Sequence, residues 1–280
     1  MSALAEAPKL RAPERPINYA LENYLLSQTV VNDFINPDGL FAFGQLPDGI
    51  ISGQVHAQAL LLSNLTQEKA FNQKEYGAWI HFDLKNRQLL YPEKPTPGSE
   101  FFEDGKFHYA VTPLLVKNDE IFPIAFAHSH PRPNDFFSYQ DLGLMMNVLK
   151  ETAPAISIVS TPEGENYLML LTKESEKPSL NALNSAIIET STSLVDEAND
   201  YATSFFRGIK STRAAEALMS YFADGPARYY QEMLTVVTLA EKFKIGIYRA
   251  GKNENHYYRL NHDSAIKWLN FSARQIRNLV

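Results

Sequence analysis

The segment from Ile121 to Asp141 reads IFPIAFAHSHPRPNDFFSYQD, and it decides the fold class of the chain. Residues 121–130 are nearly all apolar, which is typical of a strand that is buried on both faces of a sheet. Residues 131–137 contain prolines and other turn-forming residues, and residues 138–150 have the apolar spacing of a helix. A buried strand that leads through a turn into a helix predicts a sheet flanked by helices.

The sequence on both sides of this segment adds further strands and helices. Short apolar runs predict strands at 77–83, 87–92, 107–116, 155–160 and 166–172, and the stretch 54–71 has helical spacing without Gly or Pro. Residues 92–106 carry several prolines and glycines and predict a loop or an insertion. Central strands with flanking helices indicate an α/β or α+β fold.

The organisation of the chain follows from changes in composition. Residues 1–16 carry three prolines and predict an extended arm, and residues 17–175 hold the predicted strands. Residues 176–280 are mainly helical, with helices expected over 179–205, 211–223, 227–243 and from Asp263 or Ser264 to about Leu279, and with a β-hairpin over 245–261. The pattern indicates one catalytic-size domain followed by a separate, mainly helical C-terminal unit.

The overall composition excludes several classes of protein. The chain has 280 residues, 45% of them hydrophobic and 21% charged, which excludes global disorder. It has no cysteine, which excludes disulfides, a thiol nucleophile and a thiolate metal site. The net charge of −6 argues against a protein that coats nucleic acid over its whole surface, so no nucleic-acid partner is expected. The lack of a long apolar run predicts a soluble, cytoplasmic protein without membrane association.

The chemistry-bearing residues lie within the segment quoted first. His128 and His130 are two residues apart at the end of the buried strand, so their side chains leave the same face. Ser138 and Asp141 begin the next helix, which brings a carboxylate to the same end of the sheet. Two imidazoles and one carboxylate are a ligand set that zinc accepts, with a fourth position left for water. The alternative reading of Ser138 and Asp141 is a plain helix-capping pattern.

The stretch HSHPRPNDFFSYQD resembles the motif of the JAMM (MPN+ or JAB) metalloproteases, in which His-x-His is followed after seven residues by Ser-x-x-Asp. The resemblance covers roughly residues 50–172. It implies a curved mixed sheet flanked by helices, one zinc ion per chain held by His128, His130 and Asp141, and a Ser138 that stabilises the tetrahedral oxyanion.

The same resemblance implies a glutamate upstream that acts as general base on the zinc-bound water. Lys74-Glu75-Tyr76-Gly77 directly precedes an apolar strand, as the family pattern expects, so Glu75 is the candidate. Glu68 is the alternative, although it lies in the predicted helix 54–71. The remaining histidines (His56, His81, His108, His256 and His262) lack ligand-like companions and are interpreted as structural or surface residues, and Trp79 and the pair Phe136–Phe137 as core.

The resemblance implies a zinc-dependent peptidase or isopeptidase whose protein substrate is the C-terminal tail of ubiquitin or a ubiquitin-like protein. Two alternatives stay open: a RadC-like DNA-associated protein, and a non-catalytic MPN module that scaffolds a complex. Residues 242–280 carry eight Lys or Arg against two acidic residues, which is interpreted as a solvated basic face. A docking surface for an acidic protein partner and a winged-helix-like nucleic-acid reader are the alternatives.

Overall fold

The computed structural model describes part of the chain. The described residues are 10–11, 50–52, 75–83, 85–86, 88–92, 94–103, 106–110, 120–131, 136–148, 156–162, 164–171, 175–176, 178–219, 221–222, 224–251, 254 and 256–278. The predicted helix at 54–71, Glu68 and His56 lie outside them, as does most of the predicted arm 1–16.

The described strands are β1 (Leu10–Arg11), β2 (Ile50–Ser52), β3 (Tyr76–Asp83), β4 (Gln88–Pro92), β5 (Thr96–Pro97), β6 (Ser99–Glu103), β7 (Lys106–Ala110), β8 (Ile121–Ser129), β9 (Ile156–Ser160), β10 (Asn166–Leu170), β11 (Gly246–Ala250) and β12 (His256–Leu260). The main sheet has the order β1-β4-β3-β8-β9-β10-β11-β12-β2, with β5 paired to β3, and β6 and β7 form a separate hairpin.

The two histidines of the motif are carried by β8, an inner strand of this sheet, and the residue after it. Strand β8 pairs antiparallel with β3, with Gly77 opposite His128, and parallel with β9, with His128 opposite Val159. Residues 125–130 are buried, as expected for the continuous apolar run of a strand covered on both faces. The other strand pairs of the described part are antiparallel, so the architecture is an α+β fold with a mostly antiparallel open sheet.

The segment 92–106 differs from the predicted loop, because it contributes two strand pairings. Thr96 and Pro97 pair with Gly77 and Tyr76, and Ser99–Glu103 pairs with Lys106–Ala110. Prolines are compatible with short edge strands, where a missing N–H disrupts no ladder, so the proline content did not exclude a strand here. The described part of the strand predicted at 107–116 is β7, which ends at Ala110.

The described helices are α1 (Tyr139–Gly143), α2 (Leu180–Ser193), α3 (Val195–Phe206), α4 (Thr212–Met219), α5 (Pro226–Lys242) and α6 (His262–Asn278). A π-helical turn, Leu144–Val148, continues α1. The helix predicted at 179–205 is thus two helices separated at Leu194. The last helix begins one residue before Asp263, because the Asn261 side chain accepts the Ser264 N–H and caps it.

The boundary predicted near residue 175 does not separate two cores. Strand β10 pairs with β11 over five residues, from Asn166 opposite Ala250 to Leu170 opposite Gly246, so the main sheet crosses the boundary. One hydrophobic cluster also joins Phe137 and Met145 of the motif segment to Val236 of α5 and Leu269 of α6. The expectation of a separate C-terminal unit is therefore corrected: its hairpin extends the sheet and its helices cover it.

None of the helices in the described ranges combines the length and the hydropathy that a membrane span requires.

Candidate metal centre

The two histidines are held by the backbone of the strands around them. The His130 N–H donates to the Ser160 carbonyl at 2.9 Å, which ties the end of β8 to the end of β9. Between the histidines, the buried Ser129 hydroxyl accepts the Tyr76 N–H at 3.1 Å, which ties the same segment to the start of β3. Both imidazoles are buried, and these backbone contacts fix their positions at the end of the strand.

Asp141 is positioned by the first turn of α1. The Ser138 hydroxyl accepts the Asp141 N–H at 3.2 Å, and the Ser138 N–H donates to Asp141 Oδ2 at 2.7 Å. This reciprocal pair is a capping box, with the aspartate in the place usually taken by a glutamate. The cap fixes the carboxylate at the side of the helix that faces His128.

The three side chains converge on one point. His128 Nε2 lies 3.1 Å from His130 Nε2 and 3.0 Å from Asp141 Oδ1, and His130 Nε2 lies 3.6 Å from Asp141 Oδ2. Each residue is at most 9% exposed. The ligand-capable atoms all lie within 4.8 Å of one another, so this buried group can bind a metal ion.

The spacing of these donor atoms fits a small metal ion. Ligands 2.0–2.1 Å from a tetrahedral ion lie about 3.3 Å apart, and His128 Nε2 lies near this distance from both His130 Nε2 (3.1 Å) and Asp141 Oδ1 (3.0 Å). The residues therefore fit a metal that takes nitrogen and oxygen ligands.

The ionisation of the cluster reflects burial and mutual attraction. Burial lowers the pKa of His130 to about 4, with the positive charge of His128 adding to the effect and Asp141 opposing it. For His128 burial acts in the same direction, but the Asp141 carboxylate outweighs it and the pKa is raised. Burial works against ionisation of Asp141, yet the two histidines and the Ser138 hydroxyl hold its pKa well below its usual range.

Glu75 lies beside the cluster, at the first position before β3. Its carbonyl accepts the Gly98 N–H at 2.6 Å, and its carboxylate is close enough to help raise the pKa of His128. Extending the β3–β8 register by two residues from the Gly77–His128 pair places Glu75 opposite His130, on the same face of the sheet. The half-buried Glu75 is thus near the two histidines, as the sequence predicts, while Glu68 is outside the described residues.

Ser138 caps the start of α1 and hydrogen-bonds to the Asp141 carboxylate. Its hydroxyl donates to Asp141 Oδ2 at 2.7 Å in addition to accepting the Asp141 N–H. The capping interpretation of Ser-x-x-Asp is therefore correct for this pair. A role of Ser138 at an oxyanion stays a prediction, and it requires the hydroxyl to turn from Asp141 to the substrate.

The other aromatic and histidine candidates pack in the core or lie at its edge. Trp79 contacts Phe126, whose ring stacks on His128 with 5.1 Å between centroids, and Phe136 and Phe137 are both buried. These aromatics support the cluster from behind. Of the other histidines, His81 is buried in β3 and His262 is partly exposed at the start of α6.

Two sets of supporting residues were missed by sequence reasoning. Behind His130, the buried Ser160 hydroxyl donates to Asn166 Oδ1 at 2.8 Å, and Asn166 Nδ2 donates to the Gly164 carbonyl, which closes the turn between β9 and β10.

The second set lies beside Asp141, where the first residue of α1 contacts α5: the Tyr139 N–H faces Glu232 Oε1 at 3.4 Å. Neither set has a local sequence signature, because the partners become neighbours only in the folded chain.

Part of the basic charge of residues 242–280 is used inside the fold. The Arg249 guanidinium lies over the Trp268 ring at 3.5 Å and forms ion pairs with Glu165 and Glu254. Exposed positive charge is left on Lys242 and at the surface of α6, where Lys267, Arg274 and Arg277 lie.

Comparison with known proteins adds no family: neither a protein-family model nor a curated protein sequence matches this chain.

Proposed function

We propose that this protein is a zinc-dependent metallopeptidase of the JAMM type. The observation that carries the proposal is the buried group of His128, His130 and Asp141, which lies at the end of β8 with Glu75 beside it. Two neutral imidazoles and one carboxylate are the usual protein ligands of a catalytic zinc site that leaves one position open. No cysteine competes for the metal, because the chain has none.

The chain's own residues supply the remaining chemistry. Zinc, when bound, acts as a Lewis acid that polarises the scissile carbonyl and makes water more acidic. Glu75 accepts the proton of the attacking water and returns it to the leaving amine. Ser138 donates a hydrogen bond to the oxygen on which negative charge develops. The buried surroundings strengthen each of these interactions, since charges act over a lower effective dielectric.

The substrate we propose is an amide bond next to the extended C-terminal tail of ubiquitin or a ubiquitin-like protein. The support is the resemblance of residues 128–141 to the JAMM motif, since the enzymes of that family act on such tails. An extended tail can add to a sheet edge by backbone hydrogen bonds, with side-chain pockets giving selectivity. We therefore propose that the protein acts as a cytoplasmic isopeptidase.

Two other functions compete with this proposal. RadC-like proteins typically carry Asn between the two histidines, whereas Ser129 stands here and bonds to Tyr76. A scaffolding MPN module usually lacks part of the ligand set, whereas the full set converges in this chain. Both observations favour the peptidase.

The decisive experiment is cleavage of a panel of linear ubiquitin-like fusions and linked chains, with metal content measured in parallel. We expect about one zinc per chain, cleavage of at least one substrate, and loss of cleavage with a chelator and its return with added zinc. His128→Ala, His130→Ala and Asp141→Ala should each lose most of the metal, because each removes one of three ligands.

The matched control is His81→Ala, which removes a buried histidine of β3 outside the cluster and should keep the metal. Full zinc occupancy in all three ligand variants would contradict the metal site. Zinc at full occupancy without cleavage of any panel member would reject the isopeptidase and favour a scaffold, and tight DNA binding at physiological salt would favour the RadC-like alternative.

A further inference from the structure

A single residue joins the metal-binding helix to the C-terminal region. Tyr139 follows Ser138 in the capping box and lies two residues before Asp141. It contacts three positions along one face of α5: its ring lies 5.1 Å from the Arg228 guanidinium, its N–H faces Glu232 Oε1 at 3.4 Å, and its hydroxyl lies near Thr235. Positions i, i+4 and i+7 share one helix face, so the contacts form one continuous seat.

Glu232 is the polar group of this seat that reaches the backbone of α1. Its carboxylate is largely buried and lies close enough to Asp141 and Arg228 to interact electrostatically with both. The first N–H groups of a helix have no partner within the helix. The Ser138 hydroxyl takes the Asp141 N–H, and Glu232 takes the Tyr139 N–H. Together they hold both ends of the short segment that carries Asp141.

The need for such an anchor follows from the shape of α1. This helix has five residues and runs directly into a π-helical turn, so it is too short to be rigid by itself. An anchor at the helix start adds to the Ser138 cap and to the packing of the buried Leu142 in holding the aspartate relative to the two strand histidines. Residues that orient ligands in this way are typically worth about 10- to 100-fold in metal affinity or activity.

We propose that Glu232 is a positioning residue of the metal centre: by accepting the Tyr139 N–H from the side of α5, it holds Asp141 in line with His128 and His130. The C-terminal region then contributes a residue that positions a ligand of the metal centre. The inference rests on metal binding by the cluster, and only its activity readout rests on the proposed peptidase function.

The test compares Glu232→Leu, which removes the acceptor, with Glu232→Gln, which keeps an amide oxygen at the same place. The matched control is Glu189→Leu, at an exposed carboxylate of α2. We expect Glu232→Leu to weaken zinc binding in a chelator competition about tenfold or more and to change the visible absorption spectrum of the Co²⁺-loaded protein. Glu232→Gln should restore most of both, and the control should match the wild type.

Two results would overturn the inference: a folded Glu232→Leu protein with wild-type zinc affinity and Co²⁺ spectrum, or a Glu232→Gln protein as impaired as Glu232→Leu. Both readouts use metal alone, so they are independent of whether the protein cleaves a ubiquitin-like substrate. Among the loaded proteins, Glu232→Leu should lower kcat more than it changes KM.

If Glu232→Leu fails to fold, Tyr139 provides a second test. Tyr139→Pro and Tyr139→Ala both lose the ring, but only the proline loses the N–H, and proline is well tolerated at the first helical position. Ser138 already has the extended backbone that precedes a proline. Weaker zinc binding in Tyr139→Pro than in Tyr139→Ala supports the anchor, and equal binding overturns it.

Discussion

A carboxylate can take a proton that its amide isostere cannot, so Glu75→Gln separates chemistry from metal binding. The variant should keep the fold and about one zinc per chain while turnover falls about 10²–10⁴-fold, the usual contribution of a general base. Zinc content and single-turnover cleavage measure the two properties. A fully active Glu75→Gln with an inactive Glu68→Gln would assign the base to Glu68.

The ionisation of the cluster predicts how metal binding depends on pH. His128 must be neutral to bind a metal, and its pKa is raised, so a proton competes with the ion as the pH falls through that pKa. His130, with its pKa lowered to about 4, stays neutral over the same range. Zinc affinity should therefore fall as the pH decreases through the raised pKa of His128, with a slope of one proton.

Chelator competition at constant ionic strength measures this slope. A slope of two protons per zinc would mean that both histidines are charged before binding, and a flat profile would mean that neither is.

At the residue scale, the sequence predicts a site when its parts are local. The spacing from His128 to Asp141 covers one strand end, one turn and one helix start, so each ligand is implied by its neighbours. Glu232 has no such signal, because it lies 93 residues from Tyr139 along the chain and reaches it only through the packing of α5.

At the scale of elements, Arg249 joins four parts of the structure. It extends from β11 to Glu165 before β10, to Glu254 in the hairpin turn and to Trp268 of α6. The Gly251 N–H also donates to Glu254 Oε2, and a side chain at Gly251 would approach the Arg249 guanidinium to 3.1 Å. This cluster fastens the C-terminal hairpin to the rest of the sheet.

Arg249→Met should therefore lower the free energy of unfolding by about 3 kcal/mol, since it keeps the apolar stem but leaves the largely buried Glu165 without its cation. Arg274→Met, on the exposed face of α6, is the control and should change stability by at most about 0.5 kcal/mol. Urea unfolding followed by fluorescence measures both. An equal change in the free energy of unfolding for the two substitutions would show that water replaces the interactions of the Arg249 ion pairs.

Elements were predictable where the apolar pattern is regular. The strands at 76–83, 121–129, 156–160 and 166–170 match their predicted runs to within two residues at each end. The break between two helices at Leu194 could not be predicted, because no Gly or Pro marks it. Before the break, the hydroxyls of Ser191 and Ser193 donate to the carbonyls of Ile188 and Thr190. Serine side chains compete with the helical backbone in this way.

For the whole molecule, the shared sheet reverses the expected result of truncation. A chain that ends at Lys177 loses β11, which covers the edge of β10, and the helices that bury Met145 and Tyr167. An uncovered edge and an exposed core lead to aggregation. We therefore expect the fragment to be insoluble or to lack a cooperative unfolding transition, as measured by thermal denaturation. A folded fragment that binds zinc with wild-type affinity would contradict both the shared core and the role of Glu232.

The sequence did not predict this arrangement because composition alone marks a change near 175. The sequence pattern of a hairpin followed by amphipathic helices is the same whether these elements form their own core or complete the core of a preceding domain. The deciding facts are pairings such as Tyr167 with Arg249, which join residues far apart in the chain.

The dependence of α1 on α5 also has a consequence in time. Domains are synthesised from the N-terminus at about 5–20 residues per second, so the 93 residues from Tyr139 to Glu232 take about 5–20 s to translate. Between the emergence of Tyr139 and that of Glu232 from the ribosome, the nascent chain already displays both histidines and the aspartate, but α5, which anchors the start of the helix that carries Asp141, has not yet emerged. The proposed peptidase would therefore stay inactive beside the other newly made chains until its own synthesis is nearly complete.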